Sequence, residues 1–449
     1  MFARKILTVV LASLVLLFYT CDRETTQPKV QETSIQQVVP NAVIYEVNLR
    51  QYTKEGTFTA FQEHLPRLKE LGVDILWLMP VHPISEEKRK GTLGSYYAVA
   101  DYKDVNPEFG TKEDFANLVN EAHNLGMFVI LDWVANHTGW DNHWITNNPE
   151  WYTKDESGNI VTPVEDWADV ADLDYSNQEM RAAMIDALKY WVTEYNIDGY
   201  RCDVAGMVPV DFWEEATNEL NKVKPVFMLA EAWEPELLHN AFDMAYAWDF
   251  HHIMNEIAQG NKSANHIKEY LNKVDTMYKP DDILMNFITN HDENSWNGTI
   301  NERMGDASRA MAVLSYVMPG MPLIYSGQEV GLNHRLAFFE KDEINWNLNG
   351  ETTNFYKTLN KIRKHKALTT DENAELEIID SGNENVLIIQ RVNQESKLAT
   401  IINLSNEALQ IRITDNIPII NEVVLESEPG WQNNSQEKVM SAWQYIIYE

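Results

Sequence analysis

Short apolar runs alternate with amphipathic stretches along most of this chain. Eight runs are typical of buried strands, because they are almost continuously apolar and end in polar or turn residues. They are AVIYEVNL (42–49), ILWLMPV (75–81), MFVILDWV (127–134), IDGYRCDV (197–204), PVFMLAE (225–231), DMAYAWDF (243–250), ILMNFITN (283–290) and PLIYSGQE (322–329). Stretches between them, such as KEDFANLVNEAHNLG, have apolar residues at helical spacing and end in a glycine that is typical of a helix C-terminus.

Eight strand–helix units over about three hundred residues predict a (β/α)8 barrel, also called a TIM barrel, in the α/β class. An open, doubly wound sheet shows the same alternation. The number of units and the absence of a G-x-G-x-x-G turn favour the barrel. We therefore expect a catalytic barrel over residues 41–367.

Two segments depart from this alternation. About forty residues rich in Trp, Asn and Asp separate the third strand from the next helix, and a connection of that length is usually functional. They predict a small inserted subdomain at about residues 138–175. Beyond the barrel, alternating strands such as NVLIIQRV and KLATIINL predict a C-terminal all-β sandwich over residues 368–449.

The N-terminal residues have the pattern of an export signal. A basic pair precedes an apolar run over residues 6–18, which is short for a membrane-spanning helix, and FYTC then ends at Cys21. This pattern resembles a bacterial lipoprotein signal, in which Cys21 carries the lipid, and an ordinary signal peptide is the alternative. We expect a signal over residues 1–21 and a polar tether over 22–40. The protein would then be anchored at the cell envelope, or otherwise be periplasmic or secreted.

Composition excludes one class of partner. The 449 residues include 36 basic and 68 acidic ones, and the formal charge of -32 would repel the phosphates of a nucleic acid. There are two cysteines, Cys21 in the signal and Cys202 in the fourth predicted strand. An internal disulfide framework is therefore excluded, and the core must stabilise the fold.

Polar and charged side chains gather at the carboxyl ends of four predicted strands. In a (β/α)8 barrel these ends form one rim, which carries the active site. Residues that are far apart in the sequence would therefore converge on one pocket. These residues are Asp132, Asn136 and His137 after the third strand, Arg201 and Asp203 on the fourth, Glu231 on the fifth, and His291 and Asp292 on the seventh.

Three carboxylates beside an arginine, without a His or Cys cluster of metal-binding spacing, indicate glycoside hydrolysis. Arg201 and Asp203 share one strand face, because alternate residues of a strand point the same way. We expect Arg201 to keep Asp203 ionised as a nucleophile. Burial and neighbouring carboxylates would raise the pKa of Glu231, so that it carries a proton to the leaving oxygen. A retaining mechanism requires the two carboxyl groups to be about 5 to 5.5 Å apart.

Four motifs, in order and at barrel spacing, resemble those of the α-amylase family, glycoside hydrolase family 13. They are DWVANH (132–137), GYRCDVA (199–205), LAEAW (229–233) and FITNHD (287–292). GSYYAVADYKDVNPEFGT, VADLD, GMPLIYSGQE and the terminal AWQYIIYE also agree, so that the resemblance spans nearly everything after residue 40. It implies a retaining hydrolase of α-1,4-glucosidic bonds in starch or maltooligosaccharides.

The resemblance also implies roles for individual residues. Asp203 is the implied nucleophile, Glu231 the acid/base, and Asp292 the third acid, which holds sugar hydroxyls and favours the distorted transition state. Arg201 would support Asp203, and His137 and His291 would hydrogen-bond the cleaved glucose. Tyr97 would stack on the ring of that glucose. Trp233 is also an implied substrate-binding residue, and two locations stay open for it: the leaving-group side of the site and the packed core.

A calcium site stays open in the same resemblance. Asn136 and Asp172 match positions that bind calcium in other members, and their oxygen atoms suit that ion. Many members have a Lys-His pair after the nucleophile, where this chain has Gly206 and Met207. That difference removes a leaving-side contact, although a backbone carbonyl near Met207 could still complete the calcium shell. No organic cofactor is expected.

Two other functions stay open. A transglycosylase or sugar isomerase could use the same site, since these reactions share the glycosyl-enzyme intermediate. The fold would also permit a catalytically inactive glucan-binding protein, although the three intact acids argue against it. The sandwich, whose only tryptophans are Trp431 and Trp443, is expected to be a packing partner and not a glucan-binding module.

Overall fold

The computed structural model describes residues 34–347, 350–370, 373–412, 422–429 and 437–449, and its central feature is a closed parallel barrel. The barrel strands are β1 Ile44–Val47, β2 Ile75–Leu78, β3 Phe128–Trp133, β4 Gly199–Cys202, β5 Phe227–Ala230, β6 Met244–Tyr246, β7 Ile283–Asn286 and β8 Met321–Tyr325. Each strand pairs with its neighbours in chain order, and β8 pairs with β1. The predicted (β/α)8 barrel is therefore confirmed, and the open sheet is excluded.

Helices connect successive strands. The longer ones are Phe58–Gln62, Leu65–Leu71, Lys112–Asn124, Gln178–Tyr195, Val210–Asn221, Trp248–Ala258, Asn265–Met277, Ser308–Val317 and Gly350–Arg363. Shorter helical turns are Ile35–Val38, Val39–Asn41, Leu49–Tyr52, His143–Asn147, Pro149–Trp151, Ala205–Met207, Pro235–Leu238, Glu293–Asn297, Ile300–Met304, Gly305–Ala307, Gln328–Val330 and Lys366–Leu368. The pattern TAFQEHLPRLKELG forms two helices and not one, because Pro66 starts a new helix at its first turn.

Alternation along the strands decides which side chains point into the barrel. Apolar inward residues form one core cluster, in which Ile44, Ile130 and Leu229 belong to three different strands. Nearer the carboxyl ends the inward positions become charged, and Glu46 and Arg201 are fully buried. Apolar residues at the alternate strand positions, including Cys202, face outward and form a second and larger core cluster with the surrounding helices. The carboxyl rim is therefore the polar end of the barrel interior.

The packed part of the chain begins earlier than predicted. The tether was expected to continue to residue 40, but Ile35 and Val39 are only 3% and 8% exposed. Both belong to the same core cluster as Ile44, because two apolar side chains four residues apart lie on one face of a helical turn. Cys21 and the rest of the predicted export signal lie outside the described residues.

Two β elements accompany the barrel. In the insert after β3, His137–Gly139 and Val170–Asp172 form an antiparallel pair. The C-terminal domain has one sheet of five strands and a second of two, and residues from both sheets share a core cluster. The strands are Ala374–Ile379, Val386–Asn393, Ser396–Asn403, Tyr445–Tyr448 and Val423–Glu426 in the first sheet, with Leu409–Arg412 and Glu437–Met440 in the second.

The antiparallel C-terminal domain is thereby confirmed. Arg391 donates from Nη1 to the carbonyl of Val317 at 3.1 Å, so that the sheet is tied to a barrel helix. Trp443 is half-buried, and Trp431 lies outside the described residues. Within the described ranges, every helix is too short or too polar to cross a bilayer.

Candidate active site

One guanidinium group organises two acids at the carboxyl rim. Arg201 is fully buried, and its Nη1 donates to Oδ1 of Asp203 at 3.1 Å. Its Nη2 lies 2.8 Å from Oε2 of Glu231, which is an ion pair by distance without the alignment of a hydrogen bond. The structure therefore brings together the residues expected to act as nucleophile, acid/base and supporting arginine.

Asp132 of β3 is the nearest partner of that arginine. Its Oδ1 lies 2.7 Å from Nη1 of Arg201, closer than Asp203 does. Its Oδ2 accepts hydrogen bonds from Trp77 at 3.0 Å and from the Tyr97 hydroxyl at 3.1 Å. Asp132 was predicted to lie on the rim, but without a role. In the structure it fixes both the arginine and Tyr97.

A strained turn orients Glu231. Val204 has a φ of 38°, a left-handed conformation that is unfavourable for a β-branched residue. The turn directs the Val204 N–H to Oε2 of Glu231 at 2.8 Å. Backbone strain of this kind persists where the surroundings enforce it, and it clusters at active sites. One carboxylate oxygen of Glu231 is thus held by a backbone donor and by the guanidinium.

The electrostatics of Asp203 differ from the expectation. Burial, followed by the charge of Glu231, raises the pKa of Asp203 well above its usual range, while Arg201 acts in the opposite direction. Arg201 also faces Asp132, so this arginine alone does not keep Asp203 ionised. Neighbouring carboxylates disfavour each other's ionised form. Burial and the charge of Glu231 therefore oppose the ionisation of Asp203 that Arg201 favours.

His291 is held at both ring nitrogens. Its Nδ1 lies 2.5 Å from Oε1 of Glu46, and its Nε2 lies 2.7 Å from the Tyr97 hydroxyl and 3.3 Å from Oδ2 of Asp292. Burial alone would lower the pKa of His291, but the charges of Asp292 and Glu46 raise it to about 9. The ring is therefore protonated at neutral pH. Glu46 was not among the residues predicted for the site, although a carboxylate in the apolar run AVIYEVNL was a visible signal.

His137 has the opposite charge state. It is buried, with Nδ1 at 3.2 Å from Nδ2 of Asn136, and it hydrogen-bonds the backbone of Tyr97. Burial lowers the pKa of His137 to about 3, so this imidazole is neutral. The site thus offers one charged and one neutral imidazole on either side of Tyr97. The two differ because only His291 faces carboxylates.

Trp233 is exposed beside the acids. It follows Glu231 by two residues and is 57% exposed, which excludes the core packing that the sequence left open. The Tyr278 hydroxyl donates to the Trp233 carbonyl and so fixes the backbone at this point. The ring of Trp233 is therefore available at the surface, two residues beyond Glu231.

Comparison with known proteins decides the family. The family model described as "Alpha amylase, catalytic domain" matches residues 31–168 and 150–375. This chain belongs to the alpha-amylase family. An alpha-amylase of Lactobacillus plantarum has a crystal structure with a TM-score of 0.81 and 32% identity, and the match covers 91% of this chain and 99% of that one. A noncanonic maltogenic alpha-amylase of Thermotoga neapolitana has a TM-score of 0.79 and 31% identity, with 91% and 96% covered.

One relative found by sequence comparison is longer than this chain. The intracellular maltogenic amylase of Bacillus subtilis is 26% identical over 398 residues, which are 80% of this chain and 64% of that protein. The chain thus spans just under two thirds of that relative. The family predicted from the four motifs is confirmed, and with it the class of glycoside hydrolases.

Asn136 and Asp172, for which the sequence left calcium binding open, lie on paired backbone segments. Asp172 pairs in register with His137, and the N–H of Leu173 donates to the carbonyl of Asn136 at 3.2 Å. Burial raises the pKa of Asp172, and a hydrogen bond that involves Thr153 opposes this. Within the described ranges, no three His, Cys, Asp or Glu side chains form a metal-binding group. A cation here would therefore rely on amide and backbone oxygens together with one carboxylate, a donor set that suits calcium.

Proposed function

We propose that this chain is a retaining hydrolase of α-1,4-glucosidic bonds in starch or maltooligosaccharides. The observation that carries the proposal is the contact of one guanidinium, that of Arg201, with both Asp203 and Glu231. Two carboxyl groups that contact one guanidinium are close neighbours, and a double displacement requires such proximity. The relatives named above support the choice of an α-glucan as substrate.

In the first step Asp203 attacks the anomeric carbon while Glu231 donates its proton to the leaving oxygen. The glycosidic bond breaks, and an ester forms between the sugar and Asp203. In the second step Glu231 takes a proton from water, whose oxygen displaces Asp203 and restores the α configuration. Asp292 and the protonated ring of His291 would hold hydroxyls of the cleaved glucose, and Tyr97 would contact its apolar face.

The test is a time course of the purified full chain with maltoheptaose, with products separated by length. The wild type should release shorter maltooligosaccharides in the α configuration, as read by proton NMR before mutarotation. Asp203→Ala should release none, whereas Asp275→Asn, which changes an exposed aspartate on a barrel helix, should match the wild type. If the wild type forms no shorter products, the α-1,4-glucan assignment fails.

The same time course separates the alternatives. Products longer than maltoheptaose would indicate a transglycosylase, and a rearranged sugar of unchanged length would indicate an isomerase. Binding of maltoheptaose without turnover would indicate a glucan-binding protein.

We propose further that the protein is exported and anchored by a lipid on Cys21. The support is the basic pair followed by the apolar run over residues 6–18 and then by cysteine. A bacterial host fed with labelled palmitate should label the wild-type chain but not Cys21→Ser. Equal labelling of both would contradict the anchor.

We also propose that Asn136 and Asp172 hold a calcium ion together with backbone oxygens. The ion would stiffen the junction between β3 and the insert, and so would fix the neighbouring His137. Support comes from the backbone pairing that places Asp172 opposite His137, next to Asn136, and from the half-buried carboxylate of Asp172.

A further inference from the structure

A row of aromatic rings leads from the active site to the surface of the carboxyl rim. Tyr97 lies 6.2 Å from Phe338 between ring centroids, with 15° between their planes. Phe338 in turn lies 5.2 Å from Trp296. Tyr97 and Phe338 are half-buried, whereas Trp296 is 52% exposed. We call Tyr97, Phe338 and Trp296 the aromatic row.

The inner end of the row consists of rings with similar orientations. The rings of Tyr97 and His291 are 5.6 Å apart with 24° between their planes, and the Tyr97 hydroxyl contacts Nε2 of His291. Phe338 is also nearly parallel to Tyr97, with 15° between their planes. Aromatic rings therefore follow one another without interruption from His291 through Tyr97 to Phe338.

The outer end of the row is held by a rigid turn. Trp296 belongs to the π-helical turn Glu293–Asn297, which directly follows Asp292. Such turns are rare in proteins, and those that occur are often found at functional sites. Asn294 accepts from the N–H of Leu336 at 2.8 Å, and Ser295 donates to the Leu336 carbonyl at 2.8 Å. The turn after β7 is thereby fastened to the loop after β8 that carries Phe338. Trp296 is presented to solvent by fixed backbone.

Exposure of a large indole at this place has a chemical use. Large apolar side chains held at the surface beside a cleft are typical of binding sites. Sugar rings have apolar faces of C–H groups that pack on aromatic rings, while their hydroxyl groups remain in water. The row starts at the ring expected to contact the cleaved glucose. A glucan chain that continues from that glucose would therefore pass over Phe338 and Trp296.

The position of the acid/base residue selects the direction of the chain. Glu231 protonates the leaving oxygen, so the leaving part of the substrate lies towards the loop after β5, where Trp233 is exposed. The aromatic row instead belongs to the loops after β2, β7 and β8. We propose that Phe338 and Trp296 bind the glucose units on the non-leaving side of the cleaved bond, beyond the glucose held by Tyr97. This assignment rests on the proposed function and adds a preference for longer glycone chains.

p-Nitrophenyl α-glycosides with one to five glucose units test this assignment, because their leaving group is constant and only the glycone grows. In the wild type, kcat/KM should rise once a second or third glucose is present. Trp296→Ala should lower kcat/KM for the longer glycosides by about tenfold. It should leave kcat/KM for p-nitrophenyl α-glucoside unchanged. Trp296→Tyr, which retains an aromatic face, should restore most of the rise. Val439→Ala removes an exposed apolar side chain of the C-terminal domain and should behave as wild type.

Two results would overturn the inference. One is an unchanged dependence on chain length in Trp296→Ala. The other is an equal loss for the glucoside and for the longer glycosides, because that would mean that Trp296 only supports the turn. Thermal midpoints of both Trp296 variants show whether the fold is retained. A wild type that cleaves none of the glycosides would overturn the proposed function itself and the subsite with it, a result distinct from the other two.

Discussion

Nδ1 of His291 lies 2.5 Å from Oε1 of Glu46, so a buried contact between an imidazole and a carboxyl group joins the first barrel strand to the segment after the seventh. The pair determines the hydrogen bonding at the other ring nitrogen. With both nitrogens protonated, Nε2 donates to the Tyr97 hydroxyl, which donates to Asp132. A chain of contacts therefore runs from Glu46 to the partner of Arg201. Glu46 acts as a positioning residue in this arrangement.

Glu46→Gln should lower kcat by about ten- to a hundredfold, because small displacements of positioning groups have effects of that size. Loss of the negative charge should also lower the pKa of His291, so that this ring should lose its proton at a lower pH. The measurements are kcat at pH 6 and the NMR titration of the His291 ring in both proteins. A His291 titration that stays in place would mean that Glu46 has only a structural role.

Stability should fall at alkaline pH. The pKa of His291 is raised from the usual 6.5 to about 9, so the stability gained from its protonated form is fully present below pH 6.5 and is lost as the pH rises through 9. The raised pKa of Asp203 acts in the same sense. Urea unfolding midpoints between pH 6 and 10 should decline more in the wild type than in Glu46→Gln. Parallel curves would contradict the assignment of a charged His291.

Asp132→Asn should lower kcat by about a hundredfold. The amide can still accept from Arg201 but leaves the guanidinium without its nearest charge, and the arginine then shifts towards Asp203 and Glu231. The thermal midpoint should fall as well, because the charge of Arg201 is buried. Asp186→Asn is the matched control, since this aspartate is 72% exposed in its side chain and pairs with Lys103 at the surface. Full activity in Asp132→Asn would remove its positioning role.

Calcium should raise the thermal midpoint if Asn136 and Asp172 bind it, because a ligand of the folded state stabilises that state. Chelation with EDTA should lower the midpoint, and added calcium should restore it. Asp172→Asn should respond to neither treatment. Identical midpoints of the wild type with EDTA and with calcium would rule the site out.

Removal of the first packed residues should destabilise the barrel. A chain that starts at residue 42 lacks Ile35 and Val39, and burial of two such side chains contributes about 3 kcal/mol or more to the free energy of unfolding. It also lacks the Pro40 carbonyl, which accepts from Nη2 of Arg363 at 3.0 Å. Urea unfolding against a chain that starts at Ser34 measures the difference. Equal free energies of unfolding would show that this segment is dispensable.

The sequence predicted the features that have a periodic apolar pattern or that occupy a fixed place on the fold, such as the ends of strands. Eight apolar runs predicted the barrel, and the polar ends of four runs predicted the rim at which Arg201, Asp203 and Glu231 meet. Glu46 was missed because its run ends in no motif, although a single charge inside a buried strand carries the same signal as Arg201. The turn at Ile35 was missed because two apolar residues are too few to show a helical period.

Other features depend on contacts that have no sequence pattern. Asp132 is the nearest partner of Arg201 only because the β3–β4 register places the two residues opposite each other. The pKa of Asp203 follows from its burial and then from the charge of Glu231, neither of which strand order alone determines. Trp296 is exposed because a π-helical turn is fastened to the loop after β8. Each of these required the three-dimensional arrangement.

The surplus of negative charge around Arg201 has a practical consequence for inhibitors and buffers. One guanidinium faces the carboxylates of Asp132, Asp203 and Glu231, so the empty cleft attracts cations. Sugar analogues in which a basic nitrogen replaces an oxygen should compete with the substrate better than neutral analogues of the same shape. Amine buffers with several hydroxyl groups should compete in the same way, and assays are therefore better run in buffers without an amine.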